Sequence, residues 1–144
     1  MDQAGVLVQF KDLGVAAALG LAATGSALGI GVAGMAAVGA WKKCYAQNRM
    51  APFLLIVFIG APLSQTIYGM ILMNKIAEVA AKGVFLSSVG IFGGAAIGMS
   101  AFYQGKIGAS GADALAETGK GFTNYLIALG IIETVALFVM VFLL

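Results

Sequence analysis

Four intervals of the chain, Leu13 to Trp41, Met50 to Asn74, Gly83 to Gln104 and Gly121 to Leu144, carry a single charged side chain between them, Glu133. An α-helix needs about 20 predominantly apolar residues to cross a hydrocarbon layer roughly 30 Å thick. Inside such a layer every backbone polar group must be bonded internally, which leaves helices or a closed barrel, and long apolar runs without alternation favour the helix. The chain therefore reads as an all-α membrane protein with four transmembrane helices. A composition of 61% hydrophobic and 10% charged residues excludes an ordinary water-soluble domain.

Four spans in 144 residues leave only short connections, so there is no room for a soluble domain with a nucleotide site or a catalytic centre. A net charge of +2, dispersed along the chain, does not suit nucleic acid. There is no histidine, and Cys44 is the only cysteine, which argues against a transition-metal cluster and an internal disulfide and leaves a free thiol of no special role. The first apolar interval is too long for a signal-peptide core, and its only basic neighbour, Lys11, sits beside Asp12; it reads as a retained span.

The first span, beginning near Lys11, carries Gly25, Gly29, Ala33 and Ala37 at four-residue spacing, and the third carries Gly90, Gly94 and Gly98. Ridges of small residues let helix backbones approach closely in lipid, where packing replaces the hydrophobic drive. The similarity extends to register: Gly25-Ser26-Ala27-Leu28-Gly29 aligns with Gly94-Ala95-Ala96-Ile97-Gly98, and Gln65-Thr66 with Glu133-Thr134. The chain reads as two helical hairpins in tandem and in the same orientation, residues 1–79 and 80–144.

A carboxylate at the centre of a membrane helix costs about 2.5 to 3.5 kcal/mol, which makes Glu133 a site for an ion, a proton or a counter-charge. Pro62 removes a helical hydrogen bond in the second span and predicts a loosened turn just before Ser64 and Gln65, with Ser64, Gln65 and Tyr68 on one face. In an antiparallel hairpin, residues equally far from the turn are level. A turn between Thr118 and Gly119 sets Gln104 level with Glu133, and a turn at Met50 sets Gln65 level with Met35. One carboxylate, the carboxamides of Gln65 and Gln104 and the hydroxyls of Ser64 and Tyr68 then gather at one depth. A monovalent cation would neutralise Glu133 while Gln and Ser oxygens replace its water, and Tyr68 would donate to the carboxylate and fix its orientation. The plainer alternative is that these groups join helices by hydrogen bonds. Lys106, about 3 Å beyond Gln104 by helical rise, reads as a snorkelling side chain rather than a partner of Glu133.

With Pro62-Leu63-Ser64-Gln65, Tyr68-Gly69, Gln104-Gly105-Lys106 and Ile132-Glu133-Thr134 set on tandem glycine-rich hairpins, the sequence resembles the K subunit, or proteolipid, of bacterial and archaeal V-type rotary ATPases over nearly its whole length. The resemblance implies a homo-oligomeric ring in the membrane, the first and third helices inside and the second and fourth outside. Partners would be a stator subunit whose arginine displaces the ion and a central stalk subunit. It implies a sodium ion held by Glu133, Gln65, Gln104, Ser64 and the backbone carbonyl of Ala61, with Tyr68 bonded to the carboxylate. Ser64 stands where threonine is usual and Ala61 where leucine is, and neither change removes an oxygen. The same ring carrying protons is the nearest alternative, with Gln65, Gln104 and Ser64 as spare hydrogen-bonding groups; a small proton-coupled exporter taking cationic drugs at Glu133 is a remoter one. Lys42, Lys43, Arg49, Lys106 and Lys120 near the hairpin turns outnumber Lys11, Lys75 and Lys82 at the other side, which favours cytoplasmic turns and outer termini in a cell membrane.

Overall fold

The computed structural model describes the backbone of residues 3–144 and the side chains from residue 13 onward. It contains helices α1 (Gln3–Ala46), α2 (Leu55–Gly60), α3 (Ser64–Ala81), α4 (Ser87–Thr118) and α5 (Phe122–Leu143), with a 3-10 turn over Ala61–Leu63 joining α2 to α3 into one rod. There is no strand among the described residues, and the molecule is a bundle of four rods corresponding to the four apolar intervals. The first rod begins at Gln3 rather than near Lys11: a charged pair marks the edge of an apolar interval, but Gln3–Phe10 contains no proline to stop a helix. The side chain of Lys11, and with it one member of the charge balance, lies outside the described residues.

By length and composition three described segments, Leu13–Ala46, Leu55–Ala81 and Phe122–Leu143, are long and apolar enough to cross a membrane. The rod α4 is less apolar, because Val84, Phe85 and Leu86 precede its first turn and glycine and serine occupy much of its length. It packs against every other helix, α1, α2, α3 and α5, most extensively against α1. Its composition suits a helix surrounded by protein more than one bathed in lipid.

The two small-residue ridges mate with each other inside one chain. Gly14 faces Gly90, Gly25 faces Gly98, and Gly29 faces Ala101 and Gly105, so α1 and α4 run parallel with their backbones in contact. Gly25, Gly29, Ala33 and Ala37 are all buried, as are Gly90, Gly94 and Gly98. Side chains larger than a methyl group at these positions would hold the backbones apart. In the second rod Pro62 lies within the 3-10 turn, where the missing N–H loosens the helix one turn before Ser64 and Gln65, as the sequence predicts.

The two hairpin turns differ in a way that equal counting from a turn does not anticipate. Gly119 (φ 66°) and Gly121 (φ 85°) take left-handed conformations that cap α4 and launch α5, and this tight reversal keeps Gln104 level with Glu133. In the first hairpin Gly29 faces Pro62 and Ala22 faces Gly69, so Gln65 is level with Ser26, whereas Met35 is 71% exposed and far from it. The equal-count rule fails because residues 47–54 are not a tight turn. The chain leaves α1 at Ala46 and runs back without helix to Leu55, with Trp41 Nε1 donating to the Pro52 carbonyl at 2.8 Å. An extended residue covers about twice the rise of a helical one, and α1 therefore overshoots α2.

At this end Lys43 Nζ meets Glu117 at 2.6 Å and Arg49 Nη1 donates to the Ala116 carbonyl at 3.4 Å, which ties the first hairpin to the second. The hydrogen bond and charge of Lys43 hold the Glu117 carboxyl below its ordinary range. Lys75 and Lys82 both pair with Glu78 near the end of α3. Because Gly98 faces the Leu21 backbone, Gly98→Ala should lower stability in detergent by roughly 1–3 kcal/mol through overpacking. A methyl added at Gly31 meets nothing within 4 Å, so Gly31→Ala is expected to unfold at or above the midpoint of the unmodified protein when both are followed by circular dichroism.

Candidate ion-binding site

Two apolar clusters fill the bundle. One, toward the hairpin turns, includes Ala37, Cys44, Leu55, Phe58, Ala112 and Leu129; the other includes Ala18, Ala22, Leu72, Ile76, Ile97 and Ala136. Between them lies a polar layer containing Gln65 and Gln104, both fully buried, with Ser26 and Ser100 nearly so. Leaving a buried carboxamide unpaired costs about 1–3 kcal/mol, so a layer of this kind survives only if its members bond to one another.

The two carboxamides do so in a chain that crosses three rods. Gln65 Nε2 on α3 donates to Gln104 Oε1 on α4 at 2.8 Å. Gln104 Nε2 in turn donates to the Leu129 carbonyl at 3.0 Å and to Glu133 Oε2 at 3.3 Å, both on α5. The other carboxylate oxygen, Glu133 Oε1, accepts the Tyr68 hydroxyl of α3 at 2.8 Å. Ser64 Oγ lies 3.2 Å from the Ala61 carbonyl and 3.1 Å from Gln65 Oε1. That carbonyl lies in the 3-10 turn that contains Pro62, and a carbonyl oxygen has a second lone pair for this contact.

Every residue named from the sequence for this site is thus in one place: Glu133, Gln65, Gln104, Ser64, the Ala61 carbonyl and Tyr68 form a continuous set of polar contacts. Both oxygens of half-buried Glu133 accept hydrogen bonds. None of the ion pairs among the described residues includes it. Lys106 turns away, its ammonium 4.6 Å from the centre of the Phe102 ring and 5.2 Å from that of Tyr103. These ring faces give the charge a favourable contact, in keeping with a side chain that avoids the polar layer.

Two further residues belong to the layer and escape a reading of the sequence by level and motif. Ser100 Oγ donates to the Ile132 carbonyl at 2.7 Å, pinning α5 to α4 beside Glu133. Its position four residues before Gln104, on the same helix face, is a signal the sequence carries. Ser26 is missed because equal counting from Met50 selects Met35 in its place.

Residues 84–144 match the family model of the C subunit of ATP synthase, a family of non-catalytic, ion-translocating rotor proteins that form rings in rotary ATPases. The match covers α4 and α5 with Gln104 and Glu133 and leaves α1 to α3 outside it. No curated protein matches the chain. Since Lys106 engages ring faces, Lys106→Met is expected to leave the rate of carbodiimide modification of Glu133 unchanged at every pH, measured by mass shift of the purified protein.

Proposed function

We propose that the chain is the rotor-ring subunit of a V-type rotary ATPase or ATP synthase, carrying one sodium ion on Glu133 as the ring turns. The observation that carries this reading is a lone carboxylate at membrane depth, met by neutral groups and by no cationic side chain among the described residues, in a layer that also holds the oxygens of Gln65, Gln104, Ser64 and Ala61. Sodium is bound through oxygen, and a single positive charge balances a single carboxylate. Glu133 supplies the charge; Gln65, Gln104, Ser64 and the Ala61 carbonyl replace water; Tyr68 holds the carboxylate in orientation. A proton needs only the carboxylate, which would leave the paired carboxamides without a transport role.

The match over residues 84–144 supports the ring over a small exporter. Each copy would comprise two hairpins, residues 1–79 and 80–144, with Gln65 in the place that Glu133 occupies in the second, giving one ion for four spans. The ring would turn with a central stalk subunit. A stator subunit would present an arginine that displaces sodium from Glu133 as each copy passes. The basic residues near the hairpin turns favour those turns on the cytoplasmic side of a cell membrane and the termini outside.

Glu133→Gln removes the charge with little change in volume, so ATP-driven sodium transport by the complex should fall to background while the ring still assembles; retained transport would refute the carrier role. The ion is tested by carbodiimide, which modifies a protonated carboxyl. Sodium should slow modification of Glu133, more strongly at higher pH where fewer protons compete, and Gln65→Leu or Gln104→Leu should weaken this protection while leaving the reaction without sodium intact. Absence of sodium protection at every pH where Glu133 reacts would favour the proton.

A further inference from the structure

Ser26 Oγ is the one buried side-chain polar atom among the described residues without a hydrogen-bond partner, in a residue only 2% exposed. Its neighbours on α1 fix where it faces. Ala22, one turn earlier, lies against Gly69, and Gly29, one turn later, lies against Pro62. On the second rod the buried residue between Pro62 and Gly69, three positions from one and four from the other, is Gln65. Ser26 and Gln65 therefore occupy facing positions at one level of the bundle.

The carboxamide nitrogen of Gln65 carries two N–H groups, and the structure engages it with one acceptor, Gln104 Oε1. That bond conflicts with sodium binding. A cation held by the oxygens of both carboxamides requires Gln104 Oε1 to face the ion, and an N–H pointed at the same oxygen presents positive charge to a positive ion. Gln65 must then turn its nitrogen away while keeping its own oxygen, beside Ser64, toward the cation. The nitrogen needs a new acceptor in a fully buried layer, and Ser26 Oγ is free to serve.

We propose that Ser26 is a positioning residue for sodium: its hydroxyl oxygen accepts the Gln65 N–H when the ion is bound and so holds Gln65 Oε1 on the ion. The hydroxyl proton goes to the Ala22 carbonyl one turn back, a bond that serine makes readily within a helix. This role rests on the sodium reading above and predicts a selective effect. Protonation of Glu133 leaves the Gln65–Gln104 bond in place and makes no demand on Ser26.

The test is Ser26→Ala in the intact ring of the full chain, a change that removes one oxygen and adds no bulk. The sodium concentration that halves carbodiimide modification of Glu133 should rise about three- to tenfold, the factor one buried hydrogen bond commands. The rate without sodium, followed across pH, should match the unmodified ring. Ser26→Thr, which keeps the hydroxyl, should restore the original sodium dependence where the ring forms. An unchanged half-protecting concentration in Ser26→Ala would overturn the proposal, and so would a rise accompanied by a shifted pH profile without sodium, which marks a general loosening of the site. Failure of sodium to protect even the unmodified ring is a separate result that removes the sodium reading itself.

Discussion

Two neutral donors, the Tyr68 hydroxyl and the Gln104 carboxamide, meet the two oxygens of the one carboxylate at the depth where charge is most expensive. The rest of the bundle is arranged to keep that meeting in place. A cationic partner would bind Glu133 more strongly but, on the proposed reading, would also cancel its capacity to carry an ion. Hydrogen bonds from neutral groups stabilise the carboxylate without supplying its counter-charge, which the proposed reading leaves to the transported ion. The donors come from α3 and α4 and the acceptor from α5, so the site exists only where three rods are held at fixed height.

That height is set by the parallel contact of α1 and α4. Glycine against glycine, at Gly25 with Gly98 and Gly29 with Gly105, brings the two backbones together and leaves α3 and α5 to close the remaining sides of α4. Gln65 and Gln104 then meet across the α3–α4 contact, fully enclosed between the two apolar clusters. A low-dielectric enclosure strengthens a satisfied hydrogen bond and penalises an unsatisfied one. The polar layer is therefore stable as a set, and a rearrangement of one carboxamide on ion binding must be answered by another member of the set.

Much of this is legible in the residues because membrane helices leave few ambiguities. Intervals free of charge except for Glu133 mark the four rods, Gly119 and Gly121 mark a tight reversal, and equal distances from it bring Gln104 to Glu133. Pro62 announces the 3-10 turn that joins α2 to α3 just before Ser64 and Gln65. The same rule misplaces Gln65 opposite Met35, because residues 47–54 return without a tight turn and no local signal states how far an irregular connection travels. That displacement hides Ser26, whose true level depends on contacts between Pro62, Gly69 and α1 that only tertiary packing determines. The ridges on α1 and α4 are recognisable as close-approach surfaces from their spacing, but their mating with each other is not, since small residues specify closeness without naming a partner.

On the proposed reading, one carboxylate per chain, with the oxygens around it, takes sodium in competition with protons. Equilibrium binding of sodium to the purified assembly, counted per chain as pH is varied, tests this most directly. The expected result is saturation at one ion per chain at alkaline pH, a binding curve that moves to higher sodium as pH falls, and loss of the site in Glu133→Gln. An assembly that binds no sodium, or binds it equally with glutamine at position 133, would contradict it.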